Sequence, residues 1–542
     1  MKSIITNIAA LLAAAVTVGI VNSILQTQLN LGELSALGAP LTTLLRAWTT
    51  LEDLARSGPV MIGIALAALL PATLVGHLAR RMAPGVSPRQ SHAVFATAAV
   101  GLSWLVFWLM RSVVPMPAIP GTREQAGHLL LSLTGIIGGV LYSFLMLRPD
   151  PTTDADRRAA RRRHALAAAA LVLVPVALFF AMAPVADSKP ESVTPASYRL
   201  HTVLSGLNRP WSIAFLPDGR MFVTEMGGRL LAVTGDGASS QIALDGLPPI
   251  FHKGASAGLM DVALDPQFGA NGWLYLTMGY GEIGANGTRL VRARLAQDKI
   301  EDVRVLFSST PKPGAGNNGG RLAFLRDATL VLTIGDGNTR REEAQNRANH
   351  LGTVVRLTRD GRAPADNPFV GQAGAAPELY SLGHRNPQGI AIDPATGELL
   401  LSEHGPRGGD EINRIVAGAN YGWPLVSGGI DYPFARVTPF RQLARFHDPL
   451  LTWTPSIAPA GLAVYDGALF AGWRGDLLVP ALRERAVRRV LRDGRRIVGQ
   501  QLLLAELNER IRDVKVGPDG AIYVLTDGEN ARLLRLTPSV GC

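Results

Sequence analysis

The chain has 542 residues, of which 47% are hydrophobic and 18% charged, and it carries a formal net charge of +10. The charged fraction lies below the roughly 25% of an average soluble protein, which indicates membrane segments, and so much apolar surface excludes a disordered chain. A disulfide scaffold is also excluded, because the only cysteine is the last residue, Cys542.

The first 187 residues predict an all-α transmembrane domain of about five helices, in contact with a lipid bilayer. Each of five apolar stretches is near the ~20 residues that cross a bilayer as a helix: Ile4–Leu25, Val60–Leu78, Ala93–Met110, His128–Leu147 and Ala165–Ala183. A cleaved signal peptide is the alternative for the first stretch. No small-x-small cleavage site follows it cleanly, so an anchor is favoured.

Arginines in the connecting segments predict the orientation of this domain. Arg80, Arg81 and Arg89 follow the second stretch, and a cluster over residues 157–163 follows the fourth, whereas the alternate connections carry fewer. Basic loops stay in the cytoplasm. The chain is therefore expected to be a multi-pass protein of a bacterial inner membrane, with everything after Ala186 in the periplasm. The positive charge then acts as a topology signal, and no nucleic-acid partner is expected.

Residues 188–199 form a short polar linker, and residues 200–542 predict an all-β six-bladed β-propeller. Alternating strands are separated by Pro-Asp-Gly-type turns, as in Trp211–Glu225 and Arg512–Asp527, and several second strands end in Thr or Ser followed by an acid. Six such copies fit the four-stranded blades of a propeller. A solenoid is the structural alternative, but helical periodicity is absent.

Four polar segments lie between these repeats, where the central site of a propeller is built. Because of these segments, the region from about Leu204 to Leu536 resembles the glucose/sorbosone dehydrogenase family. The resemblance implies an oxidoreductase that uses pyrroloquinoline quinone (PQQ), oxidises an aldose or sugar aldehyde and passes electrons to an external acceptor. The segments that carry the resemblance are Gly383–Gly389, Ser402–Pro406, Gly409–Asn413 with Asn420–Pro424, and Arg510–Asp513.

PQQ is an ortho-quinone with three carboxylates, so its pocket needs several cations, preferably guanidinium groups. Alternation along a strand places Arg510 and Arg512 on one face, as a shared ligand would require. Arg488 and Arg489 are expected to be surface residues. The cofactor-binding set that the resemblance implies is Arg385 and Asn386 beside the quinone, His404 at the pocket rim in place of a glutamine, Arg483 in place of a lysine, and Arg510 and Arg512 at the carboxylates.

Calcium is the second cofactor that the resemblance implies, since a hard cation with oxygen ligands polarises quinone carbonyls. The backbone carbonyls of Gly405 and Pro406 are expected to bind it. A second, structural calcium site maps onto Glu411, the carbonyl of Tyr421, and Asp431. An ordinary acidic turn is the alternative for the acidic pair that includes Glu411.

Two candidate catalytic residues follow from the same comparison. Asn317, in Asn317-Asn-Gly-Gly-Arg-Leu322, stands where the family has its basic histidine, and an amide cannot take up a proton near neutral pH. Asp336 matches the carboxylate that orients that histidine and is itself a candidate base. Two alternatives therefore stay open: a non-catalytic propeller that binds a carbohydrate or PQQ, which Asn317 favours, and a calcium-dependent lactonase-type hydrolase, which needs acidic metal ligands at the centre.

Overall fold

The computed structural model describes residues 2–83, 85–113, 120–146, 198–253 and 257–539. The apolar stretch Ala165–Ala183, the linker up to residue 197 and Cys542 lie outside the described residues. The chain divides into two units, one of Met1–Val185 with Ile430–Pro439, and one of Ala186–Gly429 with Phe440–Cys542.

Helices make up the first unit. Among the described residues four segments are long and apolar enough to cross a membrane, judged by length and composition, and the fourth of them combines α4 and α5. This agrees with the predicted helical bundle, and four of the five apolar stretches lie on these segments. The helices are α1 (Lys2–Ala36), α2 (Thr43–Met82), α3 (Pro88–Val113), α4 (Gln125–Leu133) and α5 (Gly135–Met146).

Small residues allow α3 and α5 to pack closely. A Cβ atom added to Gly135 would lie 2.8 Å from the backbone of Ala99, and one added to Gly139 would lie 2.5 Å from the carbonyl oxygen of Phe95. Glycine at such contacts lets helix backbones approach each other inside a bilayer, where the hydrophobic effect does not drive helices together. Larger apolar side chains such as Leu74 are exposed on this unit.

One buried carboxylate organises polar contacts within the helical unit. Asp53 accepts a hydrogen bond from the Thr27 hydroxyl at 2.9 Å and another from the backbone N–H of Arg436 at 2.8 Å. Arg436 belongs to the segment Ile430–Pro439, and its Nε lies 2.7 Å from Oε2 of Glu52. Buried acidic groups in a bundle need such partners, and Asp53 finds its partners within this unit.

The second unit is the predicted propeller: the strands that the structure describes form six four-stranded antiparallel sheets. The N-terminal strand β1 (Tyr198–Leu207) pairs with the last strand, with Thr202 opposite Leu534, so both chain ends share the sixth blade. The first three blades are β2 (Pro210–Phe215), β3 (Met221–Glu225), β4 (Arg229–Val233) and β5 (Ser239–Ile242); β6 (Leu259–Leu264), β7 (Trp273–Glu282), β8 (Ala285–Ala296) and β9 (Lys299–Ser308); and β10 (Leu322–Phe324), β11 (Leu330–Ile334), β12 (Thr353–Leu357) and β13 (Leu379–Leu382).

The remaining blades follow the same pattern, and a one-turn helix α6 (Phe268–Asn271) lies in the second blade. Short 3-10 turns span Pro120–Thr122, Arg341–Gln345, Ala471–Trp473 and Ala505–Leu507. The last three blades are β14 (Pro387–Ile392), β15 (Leu399–Glu403), β16 (Asp410–Ile415) and β17 (Leu451–Trp453); β18 (Ala463–Val464), β19 (Leu477–Ala481), β20 (Ala486–Asp493) and β21 (Arg496–Leu503); and β22 (Ile511–Val516), β23 (Ile522–Thr526) and β24 (Ala531–Pro538) with β1.

Hydroxyl groups that end the second strands join neighbouring blades. Each donates a hydrogen bond to a backbone carbonyl at the start of the following blade, and this explains the repeated Thr or Ser in the sequence. The pairs are Thr224 to Met260 at 2.5 Å, Thr277 to Gly320 at 2.7 Å, Thr333 to Pro387 at 3.4 Å and Ser402 to Ala460 at 3.1 Å.

Arg321 connects the inner strands of most blades. Its Nη1 lies 3.1 Å from Oδ1 of Asp513 in the sixth blade, and its Nε donates to the carbonyl of Gln388 in the fourth. The guanidinium carbon stacks 3.9 Å from the ring of Trp211 in the first blade. Asp261 of the second blade lies 3.8 Å away. Because Arg321 precedes β10 of the third blade and is 2% exposed, one buried cation contacts five of the six blades.

We expect Arg321→Met to lower the free energy of unfolding of the propeller by about 3–5 kcal/mol, because it leaves the buried carboxylate of Asp513 without its cation. Thermal unfolding of the purified full chain in detergent measures this change. Arg326→Met is the matched control, since Arg326 is exposed and lies two residues after the end of β10. Equal midpoints for the two variants would contradict the role of Arg321.

Candidate functional site

Asp336, just after β11, is fully buried and surrounded by hydrogen-bond donors. Its Oδ1 accepts from Nδ2 of Asn317 at 2.8 Å and from the backbone N–H of Asn338 at 2.7 Å, and its Oδ2 accepts from the indole N–H of Trp423 at 2.9 Å. Burial raises the pKa of Asp336, and the charge of Arg385 and these hydrogen bonds act against that shift. The donor set favours the ionised carboxylate.

These contacts bring the two predicted catalytic residues together. Because the amide nitrogen of Asn317 is committed to Asp336, its oxygen is the atom left to accept from a ligand. These three donors occupy three of the roughly four acceptor positions of the Asp336 carboxylate and leave about one on Oδ2. Its geometry fits the orientation of Asn317, and its role as a proton acceptor stays a prediction.

The loop of Asn317 and the loop of Arg385 are joined by backbone contacts. The N–H of Asp336 donates to the carbonyl of Arg385 at 2.8 Å, and Oδ1 of Asn386 accepts from the N–H of Gly319 at 3.3 Å. Arg385 and Asn386 are 5% and 7% exposed. The structure therefore places these two predicted cofactor residues directly beside the predicted catalytic pair.

His404 lies beside one of the predicted arginines, since Nη1 of Arg385 donates to its carbonyl at 3.2 Å. Burial lowers the pKa of His404 to about 3, and the charges of Arg385, Arg512 and Arg510 act in the same direction. Its Nε2 donates to the carbonyl of Pro459 at 2.6 Å, and the lowered pKa favours the neutral ring, in which Nδ1 is the acceptor. The arginine charges are partly balanced, because Asp527 pairs with Arg510 and Arg512, and Asp336 feels the charge of Arg385.

Arg510 and Arg512 share one acid, as their alternation along the chain predicts. Nε of Arg510 donates to Oδ2 of Asp527 at 2.8 Å, and Nη2 of Arg512 donates to Oδ1 at 3.0 Å. A single carboxylate therefore serves two guanidinium groups, which keeps a net positive charge on this side of the site.

Arg483 is exposed and lies on a shallow pocket lined by Trp453–Ile457, Glu484 and Arg488. Its Nη1 donates to the carbonyl of Ser456 at 3.3 Å. The expectation that Arg488 and Arg489 are surface residues is wrong: they are 5% and 8% exposed. Arg488 pairs with Glu484 and Arg489 with Asp476, because both lie on a central strand of the fifth blade, where each needs a buried acid.

The two predicted calcium-binding carbonyls follow β15. The carbonyl of Gly405 accepts from Nη1 of Arg385 at 3.0 Å, and its N–H donates to Oδ1 of Asp410 at 2.9 Å. Pro406 is buried beside it. Calcium takes six to eight oxygen ligands, so two carbonyls suffice only if a bound cofactor supplies further anionic oxygens.

A small pocket is lined by residues that include Glu403, Glu411 and Tyr421. Burial, and after it the charge of Glu403, raise the pKa of Glu411 to about 8. Nδ2 of Asn413 donates to both carboxylates, at 2.8 and 3.1 Å. One amide therefore holds the two carboxylates beside each other.

Asp431, the third predicted ligand, belongs to the helical unit through the segment Ile430–Pro439. Within the part of the chain that the structure describes, no group of three or more His, Cys, Asp or Glu side chains is placed to hold a metal ion. The second calcium site therefore stays a prediction.

Sequence reasoning missed three groups at this site. Glu403 holds the backbone N–H of Arg385 at 2.7 Å and Nδ1 of His384 at 2.8 Å. The indole of Trp423 donates to Asp336. The aliphatic part of Lys312 packs beside Gly337, the residue after Asp336. Glu403 is one of the acids that follow Thr or Ser in the sequence repeat. Only the fold shows that its carboxylate accepts from the backbone of Arg385 and so orients that loop.

A family model described as Glucose / Sorbosone dehydrogenase matches residues 207–535. The chain belongs to the glucose/sorbosone dehydrogenase family. The match spans the propeller, so the predicted family and the six-bladed fold are confirmed. The predicted enzyme class, an oxidoreductase, is confirmed as well.

Relatives and a solved structure agree with this membership. The chain is 38% identical to the aldose sugar dehydrogenase of Escherichia coli, over 66% of this chain and 98% of that protein. It is 29% identical to quinoprotein glucose dehydrogenase B of Acinetobacter calcoaceticus, over 64% of this chain and 89% of that protein. The PQQ-bound aldose sugar dehydrogenase of Streptomyces coelicolor is 28% identical, with a TM-score of 0.53 over 64% of this chain and 99% of that chain.

Gly337 packs against the side chain of Lys312. We expect Gly337→Ala to lower the free energy of unfolding more than Gly371→Ala does. Both glycines have left-handed backbones, with φ of +70° and +76°, and alanine there costs about 1–2 kcal/mol. At Gly337 the new Cβ would also lie 2.7 Å from Cδ of Lys312, whereas the surroundings of Gly371 are open. Thermal midpoints of the two variants measure the difference; equal midpoints would contradict this close packing.

Proposed function

We propose that this chain is a membrane-anchored, PQQ-dependent dehydrogenase that oxidises an aldose or sugar aldehyde on the periplasmic side of a bacterial inner membrane. The observation that carries the proposal is the placement of the arginines: Arg385 donates to the carbonyls of His404 and Gly405, and Arg510 and Arg512 share Asp527. Family membership and the PQQ-bound neighbour support it. The apolar helices support the anchor, and the arginine asymmetry of their connections supports the orientation.

The residues fit PQQ by charge and by geometry. Three carboxylates need cations, and Arg385, Arg510 and Arg512 supply guanidinium groups with only Asp527 opposing two of them. His404 adds an acceptor without adding charge. Arg483, the remaining predicted cofactor residue, is exposed on the pocket lined by Trp453–Ile457 and Glu484.

Arg385, Arg510 and Arg512 would hold PQQ, whose ortho-quinone would supply the hydride acceptor for the sugar C–H, and the carbonyls of Gly405 and Pro406 would hold a calcium ion that would polarise it. The chain itself holds the cofactor and orients the sugar. Asp336 fixes the amide of Asn317, whose oxygen accepts a hydrogen bond from a substrate hydroxyl but cannot take its proton. General-base assistance is worth about 10²–10⁴ in rate, so turnover is expected to be slow. The electrons leave to an external acceptor.

Asn317 also favours a second candidate function, binding of PQQ or a carbohydrate without turnover. The lactonase-type alternative lacks support, because the described residues hold no group of three acidic or histidine ligands for a metal.

Reconstitution separates these functions. We expect the purified full chain, loaded with PQQ and calcium, to reduce a dye in the presence of an aldose, and to lose that activity with a chelator. Asn317→His should raise the rate by about 10²–10⁴, because Asp336 would orient an imidazole that can take the proton. Cofactor binding without dye reduction by either protein, over a panel of aldoses, would contradict the dehydrogenase and favour the binding function.

Cofactor affinity should depend on the arginine set. We expect Arg385→Ala and Arg512→Ala to weaken PQQ binding by about 2–5 kcal/mol, since each removes a charge partner from a desolvated carboxylate. Arg304→Ala, at an exposed position on β9, is the control. Titration of PQQ absorbance measures the affinity, and thermal midpoints check folding. Equal affinities for all three variants would refute the cofactor site.

The orientation can be tested with the chain's single cysteine. We expect a membrane-impermeant thiol reagent to label Cys542 in intact spheroplasts, because the arginine asymmetry places the C-terminal domain outside the cytoplasm. A detergent-lysed sample shows that the thiol is reactive. Labelling that occurs only after lysis would reverse the topology.

A further inference from the structure

Asp410, the first residue of β16, is a fully buried acid that joins two loops. Its Oδ1 accepts from the backbone N–H of Gly405 at 2.9 Å, in the loop after β15. Its Oδ2 accepts from the loop after β17: from the hydroxyl of Ser456 at 2.7 Å and from the backbone N–H groups of Ile457 and Ala458 at 2.7 and 2.8 Å. A buried carboxylate is costly unless donors such as these satisfy it.

The peptide group that joins His404 to Gly405 has a partner on each side. Its N–H donates to Asp410, and its carbonyl oxygen accepts from Nη1 of Arg385 at 3.2 Å. The same nitrogen of Arg385 donates to the next carbonyl, that of Gly405, at 3.0 Å. Because a peptide group is planar, the acid that holds its N–H also fixes the direction of the carbonyl that faces the arginine.

The second loop repeats this arrangement with a different arginine. The two peptide groups on either side of Ile457 direct their N–H groups at Asp410. Their carbonyls accept from Arg483: that of Ser456 from Nη1 at 3.3 Å, and that of Ile457 from the backbone N–H at 3.0 Å. Ala458 has a left-handed backbone, with φ of +54°, which a residue with a Cβ atom rarely adopts. The hydrogen bonds to Asp410 hold the loop in this conformation.

We propose that Asp410 is a positioning residue of the proposed cofactor site: it holds three peptide groups whose carbonyls orient Arg385 and Arg483. These are two of the four arginines predicted to bind PQQ. The carboxylate acts through the backbone of the two loops, since four donors from those loops already converge on its oxygens. The proposal rests on the proposed function for its effect on cofactor binding.

Asp410→Asn changes this arrangement at one point. The amide keeps the shape of the side chain and turns one acceptor oxygen into a donor. The three donors at Oδ2 favour the amide oxygen at that position, which turns the NH₂ group toward the N–H of Gly405. Two donors that face each other cannot form a hydrogen bond. The variant therefore releases the peptide group beside Arg385 and keeps the loop of Ile457.

The first test needs no cofactor. Amide hydrogen exchange of the full chain in detergent, followed by mass spectrometry, compares residues 402–409 with residues 455–460. We expect Asp410→Asn to speed the exchange of the Gly405 amide roughly 10-fold, as the loss of a hydrogen bond to a charged group requires, with a smaller effect on residues 455–460. Asp410→Ala should speed exchange in both segments. Unchanged exchange in residues 402–409 of Asp410→Asn would overturn the proposal.

Asp366→Asn is the matched control for charge. Asp366 lies in the same propeller, is exposed and pairs with Arg356 at 3.0 Å. The control should leave the exchange of both segments unchanged.

The second test uses the sign of the change in PQQ affinity. Removal of a negative charge near the arginines would by itself tighten the binding of an anion, whereas a loss of positioning weakens it. At saturating calcium we expect Asp410→Asn to raise the Kd of PQQ roughly 10- to 100-fold, and Asp366→Asn to leave it unchanged. Titration of PQQ absorbance, below the unfolding midpoint of every variant, measures the Kd.

An equal or lower Kd for Asp410→Asn would overturn the positioning role, even if the variant unfolds at a lower temperature. Failure of the native chain to bind PQQ would refute the proposed function. The exchange measurement alone would then decide whether Asp410 holds the two loops.

Discussion

The buried contact between Arg321 and Asp513 is the constraint on which the arrangement of the site depends. Asp513 follows Arg512 on β22, and Gln388, whose carbonyl Arg321 binds, follows Arg385 and Asn386 by two or three residues. Arg512 lies next to this anchor, at the point where the pairing of β22 with β23 is irregular. A cation that joins five blades thereby holds β22 and the start of β14 at the axis, next to Arg512 and Arg385.

Charge balance gives the same site its chemical character. Glu403 and Glu411 line the same small pocket as Arg385 and His404, so acidic and cationic groups meet there. Guanidinium groups suit an anion with several carboxylates, and carboxylates suit a cation. Asp336 and Asn317 lie beside Arg385, so a ligand held by that arginine would meet the residues proposed to orient a substrate.

Much of this could be predicted from sequence because it follows from local periodicity. Alternation predicted that Arg510 and Arg512 lie on one face, and both pair with Asp527; that they share a ligand stays a prediction. The burial of Arg489 could not be predicted in this way, since its acid, Asp476, lies on another segment of the fifth blade. The pairing of β1 with β24 joins residues far apart in sequence, which no periodicity records.

The most direct test of the central claim is an experimental structure of the full chain loaded with PQQ and calcium. We expect one PQQ with its carboxylates on Arg385, Arg510 and Arg512, its quinone edge toward Asn317, and a calcium ion at the carbonyls of Gly405 and Pro406. Density for PQQ at the exposed pocket beside Arg483 and Arg488, with the region around His404 left to water, would contradict the account.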